Sequence, residues 1–436
     1  MATAGAPDGS CAPARRRPAV RHRAARVGAL GALLCAALAA TACTPPATPD
    51  PTPAGGQVEV FSWWASGAEK LAMDTLVGRF RTARPEVTYV DGALAGGAGS
   101  VAKGVLASRF ANGDPPDTFQ VHGGAELAAH VAQGHLAPIT DLAERLDLAA
   151  ALPPDVLDAV SVDGVVYAVP VNIHRANLLW ANTNVLRAAG LDPTSDYPDL
   201  DSWLDALAAV REAGLQPLVL GSTWTQVHLL EVVLLSRLGP DGYSGLFDGR
   251  TDAMSPAVAS ALADFARLLG YTNADRDSLD WQDAAGRVAA GEAAFTVMGD
   301  WAAQMLRAPV TWAPFPGTDG VADVVIDAFA QPAGARHPEG AQAWLATIAE
   351  PDHQVAFANV KGAIPARGDI PETVLGTYQR TALGVFRSGT RVPSLAHGMA
   401  ASPAVVAEVT RITGALTRGT AATSQLQAAL AAASSG

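Results

Sequence analysis

The chain has 436 residues, 49% of them hydrophobic and 17% charged, which is enough to bury a large core and excludes global disorder. At roughly 150 residues per domain the length holds two or three domains. The formal net charge is −12, from 30 Lys+Arg against 42 Asp+Glu; an acidic chain without a basic cluster in its body repels phosphate backbones, so nucleic acid is excluded as a partner.

The N-terminus reads as an address. Arg15, Arg16, Arg17, Arg21, Arg23 and Arg26 form a basic stretch, and Val27 to Ala42 is an uncharged, mostly apolar run. That run is short for the ~30 Å of a bilayer core but suits the apolar region of a signal peptide. It ends in Ala40-Thr41-Ala42-Cys43, which resembles a lipobox, the site where bacterial lipoproteins are cleaved and acylated on Cys; the alternative is a plain secretory signal cut after Ala42. Of three cysteines, Cys11 and Cys35 would leave with the signal, so Cys43 stands alone and no internal disulfide can form. Thr44 to Gly56 is Pro-rich and reads as a tether. The expected order is a signal peptide at 1–42, then a lipidated Cys43 and its tether at 43–56. The product would sit outside the cell, anchored to the outer face of the cytoplasmic membrane.

Gln57 to Phe61 alternates and predicts a strand; Glu69 to Arg84, with Leu71, Leu76 and Phe80 apolar, predicts a helix stopped by Pro85. Val87 to Val90 and Asp117 to Val121 predict strands, with a helix from Ala125, and Val165 to Val169 predicts a strand ended by Pro170. This alternation argues for an α/β sheet with crossover helices. From Asp201 to Leu345 the pattern is mostly helical, punctuated at Gly214, Pro240 and Pro316. A short β run follows at Val324 to Ile326 with Asp327 just beyond it, and the chain ends in an Ala-rich amphipathic helix.

Enzyme signatures are missing. The nine histidines are scattered, no metal spacing occurs, and there is neither a phosphate-binding Gly loop nor a nucleophile elbow. Gly92 to Gly99 lacks the Lys-Ser/Thr of a phosphate cradle and reads as a flexible loop. No cofactor or metal is expected.

Aromatic and polar groups instead cluster at strand ends. Trp63 and Trp64 follow the first strand, and strand neighbours point to opposite sides, so one belongs to the core and the other is free to stack on a ligand. Trp224, Trp281 and Trp301 (beside Asp300) also lie in polar surroundings, although the bland reading of any one Trp is core. Sugars offer apolar C–H faces to Trp and hydroxyls to charged groups. Gln120 and His122 share a face at the end of their strand, and Gly123-Gly124 permits close approach there. Lys361 is one of three lysines in an Arg-rich chain, and His397 precedes Gly398 in a loop; ordinary solvated surface is the competing reading for Lys361.

Ordered segments carry a family likeness: VEVFSWWASGAEK (58–70), GDPPDTFQVHGG (113–124), VPVNIHRAN (169–177), WTQVHLLE (224–231), SLDWQDAAGRVAAGEAAFTVMGDWAA (278–303), WAPFPGT (312–318), DAFAQP (327–332), KGAIPAR (361–367) and SLAHG (394–398). Together they resemble the extracellular solute-binding proteins of bacterial ABC sugar importers, in particular the branch that takes glucose, galactose or mannose. The resemblance implies an α/β, two-lobed, periplasmic-binding-protein-like (type II) fold with a hinge of crossing strands. Lobe 1 would comprise 57–170 with 324–370, and lobe 2 171–323 with 371–436. It implies that Trp64 and Trp281 stack on the pyranose and that Glu69, Gln120, His122, Asp327, Lys361 and His397 bond its hydroxyls. Trp63, Asn172, His174, Trp224, Asp300 and Trp301 would line the cleft. The implied protein is a monomeric, non-enzymatic receptor whose partners are a monosaccharide, the permease subunits of the importer and, through Cys43, the membrane. Two other readings stay open: a receptor of the same fold for a disaccharide, oligosaccharide or other solute, and, more remotely, a secreted glycoside hydrolase pairing Glu69 with Asp327.

Overall fold

The computed structural model describes residues 56–95 and 99–433. The signal segment, Cys43 and all of the tether but Gly56 lie outside them, as does part of the Gly92 to Gly99 loop. In chain order the strands are β1 (Gln57–Phe61), β2 (Thr88–Asp91), β3 (Thr118–His122), β4 (Ser161–Val162), β5 (Val165–Val166), β6 (Ala168–Arg175) and β7 (Leu178–Asn182). They continue with β8 (Gln216–Leu218), β9 (Ala293–Val297), β10 (Val310–Pro314), β11 (Val321–Ala330), β12 (Ile364–Pro365) and β13 (Thr390–Pro393). A seven-stranded sheet runs β12-β6-β11-β3-β1-β2, with β13 added alongside β11; a four-stranded sheet runs β10-β7-β9-β8.

The alternation of β1 puts Val58 and Val60 in the core with no exposure, and β1 pairs in parallel with both β2 and β3. The helix Gly67–Ala83 covers this sheet through Ala72, Met73, Leu76, Val77 and Phe80, the i, i+3, i+4 spacing of a one-sided helix. Leu71, read from the sequence as part of that face, is 63% exposed, because it lies one residue off the stripe. Around the large sheet a first core also takes in the helices Pro338–Ile348 and Pro351–Lys361, and Ala382, Leu383 and Phe386 of the helix Thr377–Ser388. A second core joins the small sheet to the helices Leu200–Glu212, Thr223–Asp248, Pro256–Leu269, Pro403–Thr417 and Thr423–Ala433. The segment expected wholly in the second lobe, 371–436, therefore divides its packing between the two cores.

Three departures from the sequence reading matter for the site. The stretch 201–345 is mostly helical, as its pattern suggests, but it also holds β8, β9 and β10, whose short strands are buried on both faces or carry mixed polarity, so no period-two signal marks them. Strand β6 does not stop at Pro170 but runs on to Arg175. Proline is tolerated there because it sits beside a bulge in its own strand, where Val171 is left unpaired as the register with β11 shifts between Asp327 and Ala328. And β11 extends from Val321 to Ala330, which places Asp327 inside the strand, flanked by β3 and β6, rather than beyond its end.

β6 lies in the first core and leads through Ala176 to β7 of the second, β11 begins in the second with Val321 and continues in the first, and the segment after β13 packs in the second core but sets Met399 in the first. A third apolar cluster, with Trp180, Trp281, Trp301 and Val325, lies where the two meet. The Gly123-Gly124 pair serves this junction. Gly124 has φ +74, and a Cβ there would stand 2.6 Å from the carbonyl oxygen of Met399, on the third crossing segment. Gly124→Ala is expected to lower folding stability by at least about 2 kcal/mol, from backbone strain and overlap together; an unchanged denaturant midpoint contradicts this.

Candidate functional site

The register of β11 decides the centre of the site. Asp327 stands opposite His122 of β3 on one side and Asn172 of β6 on the other. Gln120 Nε2 donates to its Oδ1 at 3.0 Å and Asn172 Nδ2 to its Oδ2 at 3.0 Å, while His122 Nε2 and His174 Nε2 each stand 3.5 Å from one of its oxygens. A carboxylate has about four acceptor positions, so two amide donors leave it room for more.

Gln120 also fixes the loop after β1. Its Oε1 accepts from Ser62 Oγ (2.7 Å) and the Trp63 amide (3.3 Å), and Ser62 Oγ in turn accepts the Trp64 amide at 3.0 Å. Both tryptophans are buried. Trp64 packs against Phe357 and Phe329, with ring centroids 5.0 and 5.9 Å away, and Trp63 tilts over His122 at 5.0 Å. Lys361, in the last turn of its helix before Gly362 (φ 89), is favoured there by the helix dipole. Its Nζ donates to Glu69 Oε1 at 2.7 Å and stands 5.3 Å from the Trp64 ring centre.

The second core brings its own wall. Asp280 caps the helix Trp281–Ala289 by accepting the Gln282 amide at 2.9 Å, which sets Trp281 at the helix start. The next side chain, Gln282, comes so close to Gly67 that a Cβ there would be 2.6 Å from its Oε1; the two bodies are closed on each other. His397 is held by Ser394, whose Oγ lies 2.8 Å from its Nδ1, and Ser394 Oγ is 3.1 and 3.0 Å from the two oxygens of buried Glu231.

Between these walls lies a narrow cavity, whose space together with the solvent at its mouth is about 360 Å³. Trp63, Trp64, Glu69, His122, His174, Trp224, Trp281, Trp301, Asp327, Lys361 and His397 line it, with Val325. The sequence reading had singled out all of these except Val325, which, as one apolar residue in a buried strand, carries no signal of its own. Gln120, Asn172 and Asp300 do not reach the cavity. They stand behind it: the first two hold Asp327, and Asp300 holds His174.

The family profile of the bacterial extracellular solute-binding proteins matches residues 64–355. The chain belongs to that family. It is 34% identical to an uncharacterised ABC transporter extracellular-binding protein of Pyrococcus horikoshii over 378 residues, 85% of each chain. It is 31% identical to a probable sugar-binding periplasmic protein of Mesorhizobium japonicum, covering 80% of this chain and 86% of that one. In fold it is similar to the bacterial solute receptor AcbH, whose structure was described with an exclusive preference for β-D-galactopyranose. The TM-score is 0.75 at 16% identity, over 87% of this chain and 98% of the other. The two-lobed α/β fold expected from the sequence is thereby established. Among the described residues no helix is long and apolar enough to cross a membrane.

Charge in this binding protein is arranged behind the cavity as well as in it. Lys103 Nζ donates to Glu126 Oε2 at 2.6 Å, and His122 Nδ1 lies 2.9 Å from the same oxygen. Burial alone would raise the Glu126 carboxyl, but Lys103 and His122 outweigh it and hold it down to about 2. Lys103 escaped the sequence reading, although the same scarcity of lysine that drew attention to Lys361 applies to it. Because Glu126 is depressed from 4.5 to about 2, its contribution, on the order of 3 kcal/mol, is present above pH 4.5 and lost as pH falls from there towards 2. Glu126→Gln should lower the thermal midpoint at pH 7 and flatten its decline below pH 4.5; an equally steep decline in the variant refutes this.

Proposed function

We propose that this binding protein is the receptor of an ABC sugar importer and that it takes a monosaccharide, a glucose-like hexose, in the cavity between its lobes. One observation carries the reading: a single cavity combines five tryptophans with two carboxylates, a lysine and three histidines. Indole faces suit the C–H faces of a pyranose, and ionised or strongly polar groups suit its hydroxyls. The similarity to a probable sugar-binding periplasmic protein supports it. In this reading Trp64 and Trp281 stack on the ring, and Glu69, His122, Asp327, Lys361 and His397 bond hydroxyls, while Gln120 acts by holding Asp327. Binding selects the closed form, since closure completes the hydrogen bonds and excludes water, and the closed lobes are what the permease meets. Cys43 tethers the receptor to the membrane, which labelled palmitate incorporated into the full-length protein but not into Cys43→Ala would test.

A longer sugar is the second reading. It is favoured by a neighbouring open groove that shares His397 with the cavity, although its walls, Leu106, Ala107, Val406 and Ala407 among them, offer no tryptophan platform. A thermal-shift screen separates the two. Glucose, galactose or mannose should raise the melting midpoint, by about 2.7 kcal/mol of stability at a hundredfold excess over Kd. A shift with maltose or trehalose and with no hexose discards the monosaccharide.

A further inference from the structure

Resting on the reading of the cavity as a sugar site, we propose that His174 and His397 present bare Nε2 lone pairs to it. The pocket then selects neutral polyols whose hydroxyls donate hydrogen bonds, and it rejects acidic sugars.

His174 is the clearer case. Its Nδ1 is hydrogen-bonded to Asp300 Oδ1. Asp300 Oδ2 accepts the Arg175 amide at 3.0 Å and the Tyr378 hydroxyl at 2.8 Å. Imidazole is a stronger base than carboxylate, so the shared proton sits on Nδ1. The other nitrogen, Nε2, is buried and has no hydrogen-bond partner; Asp327 Oδ2 is 3.5 Å away, beyond ordinary reach. A neutral ring whose one proton is held on Nδ1 by Asp300 offers the Nε2 lone pair to the cavity that His174 lines.

His397 reaches the same state by a different route. Ser394 has one proton, and it points at Glu231, whose oxygens lie 3.1 and 3.0 Å away. Its oxygen is then the acceptor for His397, both for the backbone amide at 3.3 Å and for Nδ1 at 2.8 Å. Glu231 Oε2 also accepts the Ala396 amide at 2.7 Å, which fits an acceptor facing Ser394. Burial, with the nearby His122, His228 and Lys103, pushes His397 well below the usual imidazole range. A neutral ring with its hydrogen on Nδ1 has a bare Nε2.

Asp327 and Glu69 add acceptors, and Trp224 Nε1, buried without a partner, and Lys361 supply donors. A ligand carboxylate would meet two carboxylates and two lone pairs.

Calorimetry on the purified protein tests this with glucose, galactose, mannose, glucuronate, and the monodeoxy and monodeoxyfluoro derivatives of each hexose. Fluorine accepts weakly and cannot donate. For the hexose that binds, fluorination is expected to cost at least tenfold in affinity, as much as deoxygenation, at two or more ring positions, and glucuronate should not bind. Fluoro sugars within twofold of the parent at every position, or glucuronate binding like glucose, overturn the inference while the sugar site stands. Failure of all the hexoses overturns both. Asp300→Asn provides a second arm. The Arg175 amide and Tyr378 hydroxyl hold the amide oxygen in the place of Oδ2, so its NH₂ faces His174 Nδ1 and moves the imidazole proton to Nε2. This variant should bind the parent at least tenfold more weakly while losing part of the penalty against one fluoro sugar. Unchanged discrimination among the analogues means that Asp300 does not set the tautomer, and the assignment falls.

Discussion

Asp327→Ala is expected to weaken hexose binding by a hundredfold or more. Hydrogen bonds to a charged partner are worth about 1.5–3 kcal/mol each, and Asp327 keeps acceptor positions free beside those taken by Gln120 and Asn172; two sugar hydroxyls there account for a loss of this size. The same change leaves both amide donors buried without a partner, at about 1–3 kcal/mol each, so the variant should also melt earlier. Asp327→Asn keeps the volume and one acceptor oxygen and separates the two effects. It should lose less stability than Asp327→Ala, since one amide donor rather than two goes unmatched, yet bind the sugar at least tenfold more weakly. Hexose affinity within twofold of the parent in both variants, read by calorimetry, removes Asp327 from the site.

Trp281→Ala is the second large effect. Trp281 is 4% exposed, packed in the apolar cluster with Trp180 and Trp301 and facing the cavity from the second body. Its removal opens one wall of the pocket and takes away an aromatic face, so affinity should again fall a hundredfold or more. Truncating a buried Trp costs about 3–5 kcal/mol of stability on its own account. Trp281→Phe therefore serves as the control: it keeps a ring face at the helix start and should retain most of the binding. Should Trp281→Ala fold and bind as the parent does, the indole is core packing and nothing more.

Both predictions depend on residues that stand out in the sequence. Trp, His, Asp and Lys are chemically conspicuous wherever they stand, and the alternation of β1 and the Gly-Gly after β3 are local signals that survive without knowledge of the partner strands. The Gly-Gly pair carried a different meaning from the one expected. Its close approach is to the backbone of Ala159 and Met399, not to a ligand, and nothing within a few residues of Gly124 says which backbone will arrive there.

Sequence by itself determined the α/β alternation, the acidic body and the set of side chains able to meet a sugar, because each of these is written in neighbouring residues or in composition. Tertiary structure alone decided which of them touch. Gln120 became the support of Asp327 rather than a wall of the cavity because β3 and β11, over 200 residues apart in the chain, pair in one particular register. Asp300 and Ser394 acquired their roles the same way, through hydrogen bonds to His174 and His397 that depend on where the crossing segments pass. A histidine's reactive nitrogen is set by whatever bonds the other one, and across most of this site that partner lies far away in sequence.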